Sequence, residues 1–214
     1  MRRLIVAVIA LGLVAAACSS DEPELVGIRA SNDPSIGDSR FLFGVHEISG
    51  ARRGSPDEAV SVTATSLEAS ESVFEVDADF LWMVPESIGL YRAVIPFDVP
   101  GMWEIDIEIS TGERTEPFLV LVAEEPTTVG IGDRAPRVAT PTLDDTPVDD
   151  LTTDYPIAEA FYELSLDDAL ENGRKTVAVF ATPAYCTSAA CGPMMRQVKD
   201  LTASYSDVNW VHVE

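Results

Sequence analysis

The stretch Gly89 to Ile109, "GLYRAVIPFDVPGMWEIDIEI", holds two apolar runs on either side of a Pro100-Gly101 turn. In the second run Trp103, Ile105, Ile107 and Ile109 share one face, while Glu104, Asp106 and Glu108 share the other. Alternation with period two, apolar on one side and acidic on the other, is the pattern of a half-buried strand. The same alternation recurs outward in both directions, in "RFLFGVH" (Arg40 to His46), "AVSVTAT" (Ala59 to Thr65), "VFEVDADF" (Val73 to Phe80) and "PFLVLVA" (Pro117 to Ala123). Turn-forming segments such as "SGARRGSPDE" and "PESIG" separate these runs, and no helical period intervenes. The expectation is an antiparallel β-sandwich over residues 26–123.

Strand number and turn spacing point to an Ig-like sandwich. The wording of Gly89 to Ile109 also resembles the Ig-like modules of extracytoplasmic bacterial proteins of the YtkA and FixH type, through its Tyr strand, Pro-Gly turn and Trp strand. Some relatives of those modules handle copper. The candidate ligands here are His46, Met83 and Met102, with no paired His or Met-rich run to gather them. Isolated methionines on strands read as core residues, so no metal is assigned.

The chain opens on "MRRLIVAVIALGLVAAACSS": two arginines, an uncharged apolar run, then small residues before Cys18. This is the build of a secretory signal, with an apolar run short for a membrane span. The ending "VAAAC" resembles the lipobox of bacterial lipoproteins, which implies a signal peptide over 1–17, lipidation at Cys18, and an extracytoplasmic location on the cell membrane. Ala15 stands where the lipobox usually has Leu. Polar and acidic residues 18–25 then read as a tether. With Cys18 assigned to lipid, Cys186 and Cys191 are left as a pair in a compartment where disulfides persist. The 36 acidic residues against 14 basic ones, a formal net charge of -22, would repel nucleic acid.

Residues 124–154 shift to Pro, Thr, Asp and Gly and lose hydrophobic period, which reads as a linker between two domains. Beyond it, "SLDDALENG" reads as a two-turn helix with Ser165 as N-cap and Gly173 as its stop. "KTVAVFATP" reads as a strand buried on both faces. "PMMRQVKDLTASY" reads as an amphipathic helix burying Met194, Val198 and Leu201, and "DVNWVHVE" as another strand, leaving His212 half-exposed. The order strand, cysteine loop, helix, strand is a βαβ unit.

A redox pair is best placed where a helix start can favour the thiolate. Five residues apart, the two cysteines cannot both lie in one regular helix and bond, so Cys186 must precede it. The aromatic-Cys pair Tyr185-Cys186, the "CGP" at Cys191 and the helix behind them resemble the thioredoxin-like superfamily over Ile131 to Glu214. The lead-in "GIGDRAPRVATPTLDD" resembles that of peroxiredoxins and of membrane-tethered thioredoxin-like proteins. These resemblances imply a thioredoxin-like domain over 155–214, of which only the N-terminal half is present. They also imply a thiol-disulfide oxidoreductase that acts on protein thiols or disulfides and needs no organic cofactor.

C-x4-C replaces the family's C-x-x-C, so two alignments stand. In one, Tyr185-Cys186 matches the aromatic-Cys pair, Cys186 attacks and Cys191 resolves. In the other, "CGPM" matches C-G-P-C and Cys191 attacks. A peroxiredoxin-like peroxidase ranks lower, because its P-x-x-x-T-x-x-C pattern fits Pro183 and Thr187 but misses Cys191 by one residue. The reading from another class is a non-enzymatic binding or assembly lipoprotein, related to copper or a respiratory complex.

Overall fold

In a computed structural model the described residues are 24–186 and 191–214. Cys18, the signal segment and most of the tether lie outside them. The fold is β-rich, with few helices. Nine strands form one continuous sheet: β1 (Leu25–Arg29), β2 (Gly37–Glu47), β3 (Arg52–Arg53), β4 (Val60–Ser66), β5 (Val73–Val84), β6 (Ile88–Phe97), β7 (Gly101–Ile109), β8 (Thr115–Glu116) and β9 (Phe118–Val122). Their order is β8-β1-β2-β6-β5-β4-β7-β9, with β3 beside β2.

The long strand β5 joins the two halves of this sheet. Its first residues pair with β4, Val73 opposite Thr65 through Ala78 opposite Val60, and its last residues pair with β6, Asp79 opposite Arg92. The halves face each other across a single core that includes Phe41, Phe43, Val62, Tyr91, Ile95, Trp103, Ile105, Ile107 and Val120. Alternation decides which side each residue takes: along β7, Trp103, Ile105, Ile107 and Ile109 are buried. Outside, Asp106 and Glu108 are held by Arg114.

Two glycines are fixed by what approaches them. Gly101 follows Pro100 with φ +121, and a Cβ there would lie 2.6 Å from the Glu68 carboxyl carbon; Glu68 accepts the Met102 N–H at 3.0 Å. At Gly89 the ring of Phe80 lies across the backbone, 2.0 Å from where a Cβ would stand.

Two expectations change here. The sheet is mixed rather than wholly antiparallel, because β8 runs parallel to β1. The folded body also begins one residue earlier than the tether reading allowed: Leu25 is 1% exposed, sits in the core and pairs with Glu47.

The C-terminal part packs around two smaller cores. It contains α1 (Val148–Leu151), α2 (Leu166–Glu171), β10 (Thr176–Phe180), α3 (Cys191–Thr202) and β11 (Asn209–Val213), with β10 and β11 paired in parallel from Thr176 opposite Asn209. Residues read as linker enter this packing: Leu151 joins Phe161, Tyr162 and Trp210 in one core. Thr140 is buried and exchanges hydrogen bonds with the start of α2, its N–H to Ser165 Oγ and its Oγ1 from the Leu166 N–H. Ser165 therefore occupies the N-cap position without capping; the capping hydroxyl comes from Thr140.

Strand β10 is not buried on both faces as its composition suggests. It pairs only with β11 among the described residues, and Phe180 is 72% exposed. Helix α3 buries Met195 and packs Val198 against the core, while Met194 and Leu201 are exposed, so of the three expected residues only Val198 packs inward and Met195 takes the place of Met194.

Candidate functional site

The cysteines sit where β10 hands over to α3. After Phe180 the chain makes a single 3-10 turn over Pro183–Tyr185, reaches Cys186, and resumes as helix at Cys191. Cys186 and Cys191 form a disulfide with Cα atoms 6.3 Å apart. That spacing is inside the range a disulfide tolerates, and it is reached because Cys186 lies before the helix while Cys191 opens it. Both cysteines are half-buried. Tyr185, next to Cys186, is 78% exposed.

A cleft of about 480 Å³ lies between the turn that leads to Cys186 and the start of α3 that follows Cys191. Its walls come from three segments: Thr153 to Pro156, the turn residues Pro183 and Ala184, and the first turns of α3 with Gly192, Arg196 and Lys199. Lys199 forms an ion pair with Asp154 and donates to the Pro156 carbonyl at 2.6 Å, which ties α3 to the opposite wall. Arg196 is exposed and forms no ion pair among the described residues; its Nη1 lies 3.6 Å from where a Cβ on Gly192 would stand. The helix is also joined to the large sheet, since Gln197 Nε2 donates to the Met83 carbonyl at 2.8 Å.

Behind the cysteine approach lies a polar network that the sequence did not announce. His212, expected to be half-exposed, is 3% exposed because β11 faces the packed 3-10 turn Glu159–Phe161 and Tyr162. Its Nε2 meets the Ala181 carbonyl at 2.8 Å and its Nδ1 meets the Tyr162 hydroxyl. A carbonyl only accepts, so Nε2 carries the proton; in the neutral ring Nδ1 then accepts from Tyr162. Burial pushes the Tyr162 hydroxyl up to about 12, so it remains a phenol able to donate. Nearby, Glu214 accepts from Thr152 Oγ1 at 2.8 Å, from the Thr153 N–H at 2.9 Å and from Thr153 Oγ1 at 2.8 Å. Thr153 Oγ1 in turn accepts the N–H of Ala184, two residues before Cys186, at 3.2 Å.

Of the expected site residues, Cys186 and Cys191 are brought together. Cys18 and Thr187 lie outside the described residues. His46, Met83 and Met102 lie on β2, β5 and β7, with Met102 on the half of the sheet opposite His46. Among the described residues no group of three or more His, Cys, Asp or Glu side chains could hold a metal ion. No described helix is long and apolar enough to cross a membrane. The chain matches no protein-family model and no curated protein.

Proposed function

We propose that this chain is a membrane-anchored extracytoplasmic thiol-disulfide oxidoreductase working through Cys186 and Cys191. The observation that carries the reading is a disulfide at the start of a helix, between two parallel strands and beside an open cleft. That position favours a thiolate and gives a partner sulfur a way in. In the forward direction the Cys186 thiolate attacks a substrate disulfide, forming a mixed disulfide and releasing one substrate thiolate. The Cys191 thiolate then attacks Cys186, closing the intramolecular disulfide and releasing the second substrate thiolate. The substrate gains two electrons and the protein loses them; a dithiol of the compartment must restore the reduced pair.

The sequence β10, cysteine loop, α3, β11 supports a thioredoxin-like identity for the C-terminal part. The strand order supports an Ig-like identity for the N-terminal part: β1, β2, β6 and the end of β5 correspond to strands A, B, E and D, and β4, β7 and β9 to C, F and G.

The test is the position of the pair against glutathione. An exchanging pair equilibrates with mixtures of reduced and oxidised glutathione, whereas a potential below about −300 mV marks a permanent staple and leaves the non-enzymatic binding lipoprotein as the reading. The anchor is tested separately. Cys18→Ser is expected to move the protein from the membrane fraction to the soluble one and to abolish incorporation of labelled fatty acid. A wild-type chain that is already soluble and unlipidated would remove the anchor from the proposal.

A further inference from the structure

We infer that Thr153 and Glu214 are positioning residues for the cysteine pair, holding Cys186 where it closes on Cys191. The N–H of Ala184 lies in the first turn of a 3-10 helix, where no partner exists within the helix itself. Thr153 Oγ1 supplies the acceptor at 3.2 Å. The single hydroxyl proton of Thr153 is given to Glu214 Oε2 at 2.8 Å, and donation to a carboxylate strengthens the oxygen as an acceptor.

Glu214 is itself fixed, since its other oxygen receives the Thr153 N–H and Thr152 Oγ1 at 2.9 and 2.8 Å. The near end of the same stretch is held by β11, which ends just before Glu214: Ala181 receives a hydrogen bond from His212 Nε2 at 2.8 Å and donates its own N–H to the Val213 carbonyl at 3.2 Å. The four residues 181–184 are thus pinned at one end by His212 and Val213 and at the other, two positions before Cys186, by Thr153, which Glu214 holds.

None of these contacts involves sulfur, so they persist when the disulfide is reduced. The reduced chain therefore keeps Cys186 near Cys191, and much of the ordering entropy of ring closure is met before the bond forms. Thr153 raises the effective concentration of one thiol at the other. This inference needs only the disulfide, and it holds whether or not the pair exchanges with protein substrates.

The experiment equilibrates the full chain with reduced and oxidised glutathione under argon: one oxidised glutathione takes two electrons and two protons from the dithiol, giving the intramolecular disulfide and two reduced glutathiones. After acid quench and alkylation, the peptides carrying Cys186 and Cys191 are quantified, so that Cys18 does not enter the readout.

Thr153→Val, which keeps the shape and loses the hydroxyl, is expected to lower the equilibrium constant for disulfide formation about fivefold, the effect of one hydrogen bond. For a two-electron couple this is a shift of about 20 mV. Thr153→Ser restores the hydroxyl and is expected to stay within about twofold of wild type. Glu214→Gln leaves Thr153 in place and is expected to shift the constant in the same direction as Thr153→Val, by about two- to threefold. Amide exchange at Ala184 should quicken in Thr153→Val. An unchanged constant in both Thr153→Val and Glu214→Gln overturns the inference, as does a Thr153→Ser chain that falls as far as Thr153→Val. Failure of the redox reading would look different: a pair too stable for glutathione is equilibrated instead with reduced and oxidised dithiothreitol, and its constant remains sensitive to Thr153 although no mixed disulfide with a protein substrate forms.

Discussion

Trp103→Ala is expected to remove about 3–5 kcal/mol from the stability of the N-terminal sheet, the cost of truncating a large aromatic side chain in a packed core. Trp103 is fully buried, near the middle of the core, and stacks on Phe74 with ring centroids 5.9 Å apart and meets Phe97 edge-on at 4.9 Å. Its indole N–H donates to the Val99 carbonyl at 3.1 Å, which holds the Pro100-Gly101 turn against the strand it introduces. Truncation leaves a cavity and an unpaired carbonyl together. Total stabilities of about 5–15 kcal/mol mean that such a loss lowers the denaturation midpoint strongly or leaves the sheet unfolded. Far-UV circular dichroism during urea titration of the full chain measures it. Trp82→Ala is the control: that side chain is 44% exposed and packs against Phe80, so its removal should cost less than about 1.5 kcal/mol. Equal midpoint shifts for the two variants would mean that Trp103 is not the centre of the core.

The same residue shows why the N-terminal sheet was legible. Trp103, Ile105, Ile107 and Ile109 alternate with acids, and in a sheet with one solvated face that alternation leaves a single inward choice. Strands β3 and β8 have two residues each and are defined by their partners rather than by any pattern of their own. The C-terminal part was harder because its decisive contacts are long-range. "TVAVF" has the composition of an interior strand, but among the described residues it has one pairing partner, and Phe180 stands in solvent. "PMM" offers two adjacent methionines, and sequence period cannot tell that Met195 rather than Met194 is the buried one. His212 is buried by Tyr162, 50 residues earlier, and Thr153 reaches Glu214 across 61 residues. For the cysteines, spacing alone showed that a bonded Cys186 must lie outside the helix, while the pairing itself came from the cysteine count and the resemblance. What spacing could not supply was the support behind them.

Cys191→Ser is expected to convert a protein that forms no lasting adducts into one that accumulates a mixed disulfide through Cys186. In the exchange mechanism only the attacking sulfur joins the intermediate, and the second thiol exists to break it. Cys186 is half-buried and follows exposed Tyr185, while Ala184 two residues before it lines the cleft. Cys191 begins α3 and is followed by Gly192 and Pro193, where the helix start favours the thiolate needed to release the partner. Capture from an extracytoplasmic extract on the Cys191→Ser chain, then release by dithiothreitol, should yield adducts whose linkage maps to Cys186. The Cys186→Ser chain should yield few. If the outcome is reversed, with Cys186→Ser as the trapping variant, "CGPM" is the correct alignment and Cys191 is the attacking sulfur. If neither variant traps a partner and the wild-type disulfide survives strong reductant, the loop is a staple, and the turn held by Thr153 positions Cys186 for a permanent bond rather than for exchange.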